Sequence, residues 1–590
     1  MLKLSKYLRP FWWGIILIVL LLLGQAMAEL FLPTVMSEIV NDGVMVAAIT
    51  GESQTPFILQ RGGIMLAIAL LAGSASIFAG YLSPRIAAAA ARNLRRDLFT
   101  KVESFSQAEF DKFSSASLIT RCTNDITQVQ QLANVFARML LYAPIMGTGG
   151  IFMALRMNVS MAWIIALAVI VLLCVVSVII AIVFPKFKII QKLVDNINRV
   201  SREILHGLMV IRAFGTQNHE KKRFDKTNQE MRDLGLFVGR VMAATFPLIT
   251  FIMGGTQILV IWFGSHQIVA SGAAFNVGDV MAFMQYAMQV IIAFMMISMV
   301  IVMIPRAQVS AVRILEVLET DSTINDPAIP EKFSEDSAHR GQVSFNNVGF
   351  RYPGAEVDVI EGITFTALPG QTTAIIGATG AGKSTMAELL LRFYDVTNGS
   401  ITVDGLDVRN VTQSDLRSKI GYVPQKGQLL SGIISSNITY GRPDATPEEV
   451  EAVAKVAQAF DFISEKDDKF ESEIAQGGSN VSGGQRQRLS IARALAKNPE
   501  ILVFDDSFSA LDFQTDAKLR KALKEHTENA TVIVIAQRVG TIINAEQILV
   551  LDEGKIVGRG KHEELLKNCP EYLEIANSQG MVNGNGGSEA

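Results

Sequence analysis

Cysteine is scarce in this chain. Cys122, Cys174 and Cys569 are the only three in 590 residues, and they lie far apart in no metal-ligand spacing. A disulfide framework and a cysteine-held metal are therefore not expected. Net charge is also nearly absent. The formal value is −3, so no global basic field argues for nucleic acid as a partner. Proline is almost missing from 85–134 and 185–240, and nothing there interrupts a helical pattern. No evident cleavage site follows the charged start from Lys3 to Arg9. The apolar run behind it is too long for a signal peptide and reads as a retained first span.

Long apolar runs are abundant in the first half. Six of them, at about 11–32, 62–82, 135–155, 161–184, 241–263 and 277–304, meet the roughly 20 helical residues that a bilayer demands. Lys3, Lys6 and Arg9 precede the first. Arg92, Arg95, Arg96, Lys101, Lys112 and Arg121 lie between the second and third. Lys186, Lys188, Lys192, Arg199, Arg202 and Arg212 lie between the fourth and fifth. The alternate loops carry little positive charge, which places both termini in the cytoplasm. The intervals 85–134 and 185–240 are too long for turns. They suit helical hairpins of about 25 residues per arm, some 37 Å long at about 1.5 Å per residue. Their tips are expected near 111–118 and 207–215. Stalks of that length need something to contact, and this chain's soluble domain or a partner's is the obvious candidate.

Two features of the spans invite a functional reading. Glu29 sits deep in the first one. A carboxylate at that depth is costly and marks either a site or a protonated group bonded to a neighbouring helix. In the last span, Met281, Met284, Met288, Met295, Met299 and Met303 fall along one face. A soft thioether face suits varied apolar ligands, or it is helix–helix packing.

The second half reads as a soluble α/β domain. Residues 321–340 form a Pro-, Asp-, Glu- and Ser-rich linker, 341–578 a folded domain, and 579–590 a flexible tail. Strands are expected at 342–350, 371–376, 501–504 and 532–536, and helices at 386–391 and 448–462. Strands alternating with helices argue for a largely parallel core sheet.

Its organising stretch is 377–385, GATGAGKST. The pattern G-x-x-x-x-G-K-[ST] between a strand and a helix proposes a phosphate-binding loop. Backbone N–H groups of Gly377, Ala378, Thr379, Gly380, Ala381, Gly382 and Thr385 would converge on oxyanions, helped by the helix dipole. Lys383 would reach the β- and γ-phosphates and Ser384 would hold Mg²⁺. Asp505 ends an apolar strand, where it would complete the Mg²⁺ site. A second anion site is visible at Ser482, Gly483, Gly484 and Gln485, which open another helix. One nucleotide is already cradled at Lys383, so the second site is best explained as serving a nucleotide held by another polypeptide.

With VSGGQ at 481–485 and the loop at 377–385, the chain resembles a half-transporter of the ABC exporter family. The expected fold is a polytopic α-helical membrane domain of six spans, the type I exporter architecture, fused to an α/β P-loop nucleotide-binding domain. The resemblance covers nearly the whole chain and implies further roles. Tyr352 in FRYPG would stack on adenine. Gln425 in YVPQ would meet Mg²⁺ and sense the membrane domain. Glu473 would contact a hairpin tip, and Asp512 in SALD would belong to the loop that crosses to a partner site. ATP and Mg²⁺ are the implied cofactors. Two nucleotide domains would close head to tail on two ATP molecules.

Two positions depart from that family's pattern. Asp506 stands where it has a glutamate that orients water, and Gln537 stands where it has a histidine. Asp is one methylene shorter than Glu, and a shift of about 1 Å in such chemistry can cost about a hundredfold. Gln donates a hydrogen bond but carries neither a proton nor a charge. The expectation is a site that binds ATP and hydrolyses it slowly, with an intact signature lent to a non-identical second half-transporter. The chain is then a subunit of an ATP-driven heterodimeric exporter in a bacterial plasma membrane, of the multidrug type, moving small amphipathic compounds among membrane lipids. Glu29, Met284, Met288 and Met295 are the candidate substrate contacts. The rivals are a homodimeric lipid flippase of the same architecture and an ATP-gated channel or sensor.

Overall fold

The computed structural model describes residues 2–271, 275–334 and 336–580. The chain divides into two compact units. One comprises Met1–Glu103 and Ser115–Thr320. The other comprises Ser104–Ser114 and Asp321–Ala590.

The first unit is all helical. Its main elements are α1 (Trp12–Glu38), α2 (Thr55–Glu103), then, beyond the short helix α3 (Gln107–Phe113) of the other unit, α4 (Leu141–Met157), α5 (Ala162–His206), α6 (Leu208–Ala213), α7 (Gln217–Ser271) and α8 (Val277–Glu319). Among the described residues, six helical stretches are long and apolar enough to cross a membrane. They match the six expected spans, but most run far past them: α2 has 49 residues and α7 has 55. Pro84 in α2, Pro185 in α5 and Pro305 in α8 stand close to where the apolar character ends, yet each helix runs on through its proline, so one rod carries both span and stalk.

Large apolar side chains such as Leu20, Leu70, Phe152 and Ile170 face outward, as a lipid-facing surface requires. The interior gathers on α8, whose Phe283, Tyr286 and Val290 are fully buried with Leu30 and Met146. Backbone approach is close there. A Cβ on Gly150 of α4 would lie 2.8 Å from Val290 Cγ2, the small-residue contact that lets membrane helices pack tightly.

In the second unit, β1 (Val343–Phe350), β2 (Ile360–Ala367), β4 (Asn398–Val403) and β5 (Leu406–Asp407) form an antiparallel sheet in the order β2-β1-β4-β5. The main sheet is β12-β11-β3-β10-β9-β6. It contains β3 (Thr372–Gly377), β6 (Ile420–Val423), β9 (Ile501–Asp505), β10 (Thr531–Ile535), β11 (Gln547–Asp552) and β12 (Lys555–Gly560). All neighbours in it are parallel except β11 and β12. A two-stranded ribbon joins β7 (Gly432–Ile433) to β8 (Glu473–Ile474). The helices that matter below are α9 (Lys383–Leu390), α10 (Gly483–Ala496), α11 (Phe513–His526) and α12 (Pro570–Ser578). Strands β3, β9 and β10 are buried almost throughout, which is why they read as continuous apolar runs.

Three expectations change in detail. The helix expected at 448–462 is two helices, Pro447–Val456 and Phe460–Ser464. Gln458 between them takes a left-handed φ of 55°. The first hairpin tip sits earlier than 111–118. Ser106 and Glu109 make a capping box that starts α3, and Ser114 ends it at φ 57°. The second tip, α6, falls within 207–215 as expected. The linker-like stretch is irregular but fastened within the second unit. Arg392 donates to Asn325 O, and Gln413 N donates to Asp326 Oδ1. The tail at 581–590 lies outside the described residues.

Candidate nucleotide site

Strand β3 delivers the chain into the glycine loop, and α9 begins directly after it. Gly382 caps α9 at φ 92°. A Cβ there would lie 2.5 Å from Ile360 Cγ2 and 3.1 Å from Val359 O, so only glycine fits. The loop curls around the lysine it precedes. Lys383 Nζ donates to Gly377 O at 2.8 Å and to Ala378 O at 2.6 Å. Lys383 is 8% exposed. Burial pushes its pKa down, against the pull of Asp506 and Asp505. A buried ammonium held only by carbonyls is primed for an anion that would restore its charge balance.

Two of the candidate metal ligands, Ser384 and Asp505, are in contact. Ser384 Oγ donates to Asp505 Oδ1 at 2.9 Å. Asp505 ends β9 and is 5% exposed. Burial pushes its carboxyl up, while Ser384 and Tyr422 hydrogen bonds and the Lys383 charge pull it down. A hydroxyl and a buried carboxylate beside a phosphate loop are hard oxygen donors that fit Mg²⁺. When bound there, Mg²⁺ would neutralise charge on the phosphates.

Asp506 is the residue that both neighbouring amides seek. Gln425 Nε2 donates to its Oδ2 at 3.1 Å, and Gln537 Nε2 donates to the same atom at 3.0 Å. Asp506 is 9% exposed and sits at φ 44°. The three positions that sequence reasoning marked separately are thus one cluster. Gln425 stands on a loop that Gln487 holds down. Gln487 Nε2 donates to Pro424 O, and its Oε1 accepts from Gly427 N. Gln487 is almost fully buried and was not marked from the sequence; a polar residue on the inward face of α10 was the available signal.

Tyr352 has its ring edge-on to Phe350 and Tyr394, at 4.8 and 5.2 Å between centroids. Its hydroxyl bonds Thr385 and donates to Glu388. Burial pushes the phenol up to about 12.

The second candidate anion site, at the start of α10, is not part of this cluster. Ser482 caps α10: its Oγ accepts from Gln485 N at 3.2 Å, and Gln485 Oε1 accepts from Ser482 N at 3.0 Å. Gly483 and Gly484 form the first turn of that helix. Asp512 caps α11 by accepting from Thr515 N at 2.9 Å. That backbone bond holds its carboxyl below the usual range. Glu473 is exposed on β8.

Of the candidate membrane residues, Glu29 is tied to polar neighbours. Gln25 donates to Glu29 Oε1 at 2.9 Å, and Tyr142 donates to Glu29 Oε2. Gln289 donates to the Glu29 carbonyl at 3.2 Å. Met284 and Met288 are half-buried and Met295 is exposed. Met284 packs against the buried cluster that holds Phe283, Tyr286 and Val290. The side chain of Met299 lies outside the described residues.

Residues 15–294 match the ABC transporter transmembrane region family, and residues 360–509 match the ABC transporter family. An uncharacterized ABC transporter ATP-binding protein of Mycobacterium tuberculosis is 40% identical over 98% of both chains. This chain belongs to the ABC transporter family. The transporter is also 34% identical to an uncharacterized ABC transporter ATP-binding protein of Bacillus subtilis, over 98% of both. It is 30% identical to an ATP-dependent lipid A-core flippase of Salmonella typhimurium, over 98% of this chain and 97% of that one. A solved bacterial Atm1-family ABC exporter with ATP bound superposes with a TM-score of 0.77 at 26% identity, covering 97% of this chain and 98% of that one. The transporter is an exporter-type half-transporter, a membrane domain fused to an ATP-binding domain, and it hydrolyses ATP.

Proposed function

We propose that this chain is the slowly hydrolysing subunit of a heterodimeric exporter. The observation that carries the reading is the Asp506 cluster. The carboxylate that would orient water is short, and one of its oxygens is shared by two neutral amides. Neither amide carries a proton or a positive charge to the γ-phosphate. ATP would be gripped through Lys383, Ser384 and Asp505 and split slowly, because phosphoryl transfer rests on positioning and charge.

The intact start of α10 would serve a partner's nucleotide. Ser482 exposes the N–H groups of a helix start, where a γ-phosphate is favoured. The exposed tip α6 supports a two-chain unit. Met209 and Phe214 are each 78% exposed there, and such apolar side chains suit a second nucleotide domain. ATP sandwiched at both sites would close the domains, the hairpin tips would transmit the closure, and hydrolysis mainly at the partner's site would reset it. The cargo would be a small amphipathic compound meeting Glu29, Met284, Met288 and Met295. A bacterial plasma membrane with a cytoplasmic nucleotide domain fits this reading.

A homodimeric lipid flippase is the second reading, favoured by the flippases that match nearly the whole chain. Affinity isolation from native membranes, followed by sequencing of what co-purifies, separates the two. A stoichiometric half-transporter with Glu and His at the two altered positions supports the heterodimer. Recovery of this chain alone supports the flippase.

A further inference from the structure

The turn that carries Gln537 is held from two sides. Val539 is fully buried beneath it. From α11, Arg520 Nη1 donates to Gly540 O at 2.7 Å, so the far end of the turn is pinned. The near end is pinned by a residue about 40 positions further along. Gln579 Nε2 donates to Gln537 O at 2.8 Å, and Gln579 Oε1 accepts from Val539 N at 2.8 Å. One side-chain amide thus closes both backbone groups that flank Arg538.

Its platform is rigid. Gln579 follows α12 immediately. That helix sinks Tyr572 and Ala576 fully into the domain. His562 Nδ1 sits 2.7 Å from the Tyr572 hydroxyl. The amide itself is exposed, so it contributes little to the core. What it fixes is the peptide from which the Gln537 side chain reaches Asp506.

We infer that Gln579 is a positioning residue of the nucleotide site, holding the turn so that Gln537 meets Asp506. The last helix of the described chain therefore belongs to the hydrolytic apparatus and is not merely an outer layer. The inference rests on Gln537 facing the nucleotide, as the proposed function holds.

The test is a double-mutant cycle on the mixed full-length complex in lipid nanodiscs, with the partner's competent site inactivated so that the residual turnover is this chain's own, and with Gln579→Ala, Gln537→Ala and both together. Hydrogen exchange at Val539 is followed alongside. Gln579→Ala should lower kcat for ATP by about three- to tenfold, the range that a lost neutral hydrogen bond gives, with KM little changed. In the Gln537→Ala background the same change should have no further effect. The Val539 amide should exchange faster. An equal loss of rate in both backgrounds, or unchanged Val539 exchange, overturns the inference. Brisk turnover by a transporter made of this chain alone would instead sink the slow-site reading and leave the cycle interpretable.

Discussion

The phenol of Tyr394 donates a 2.7 Å hydrogen bond to Asp111 Oδ2. Asp111 belongs to α3, the tip of the first hairpin, and Tyr394 to the loop after α9. Burial and the Asp111 carboxylate both push the phenol well above its ordinary value. A second tie lies beside it, because Thr323 N donates to Glu109 Oε1 at 3.2 Å. Tyr394 also touches Tyr352 edge-on, so one aromatic side chain links the tip to the residue proposed to meet adenine.

Removing that link should separate hydrolysis from transport. Tyr394→Phe keeps the ring and deletes the donor, leaving the exposed Asp111 carboxylate one partner short. Transport should fall by about threefold or more while basal ATP turnover stays within about twofold. Parallel transport and turnover assays check this. Equal loss of both would mean the tyrosine matters only for folding.

Restoring the altered positions should restore chemistry. Asp506→Glu with Gln537→His is expected to raise turnover at this chain's own site by about tenfold or more, because a lost 1 Å is recovered and a charge carrier returns. The measurement is turnover by the mixed complex after the partner's competent site has been inactivated. An unchanged rate would show that the two residues are not what limits it.

The signature serine should act across the interface. Ser482→Arg fills the start of α10 and should abolish most turnover of the mixed complex. ATP binding at Lys383 should survive in the altered chain. Photolabelling by an ATP analogue, compared with phosphate release, distinguishes the two. Undiminished release would remove the donated-site claim.

Acid should weaken Mg²⁺-dependent binding early. Burial raises the Asp505 carboxyl, and the protonated form is a poor metal ligand. Mg²⁺-dependent ATP affinity should therefore fall on acidification at a pH above the ordinary carboxylate value of about 4. Folding has its own sign. A raised folded-state pKa gives stability that is present below the unfolded-state value and lost as pH rises through the folded one. Asp505→Asn should therefore raise the apo melting temperature more at about pH 7 than at about pH 4, while abolishing Mg²⁺-dependent binding. A variant less stable at neutral pH would contradict this.

Charge at Glu29 should select cargo. The carboxylate accepts from Gln25 and Tyr142, two neutral donors. Glu29→Gln should reduce transport of cationic dyes by about fivefold or more and leave neutral analogues within about twofold. Equal loss for both would remove the charge argument.

Much of this was legible in sequence because its signals are local. The loop at 377–385 announces itself by spacing. The six spans announce themselves by length, and β3, β9 and β10 by continuous apolar runs. What escaped was set by tertiary contact. The tip α3 falls a few residues early because Ser106 and Glu109 cap one another. The break at Gln458 involves neither glycine nor proline. Gln487 and Gln579 each hold a loop distant in sequence, and a lone glutamine carries no pattern to reveal it. The sequence marked Gln425, Asp506 and Gln537 one by one; only folding shows that two amides share one carboxylate oxygen.

The most direct measurement is steady-state ATP turnover by this chain purified alone, set against its ATP occupancy and against the complex isolated from native membranes. The account predicts full occupancy with turnover at least about tenfold below that of the complex. Turnover by the lone chain equal to that of the complex would contradict it.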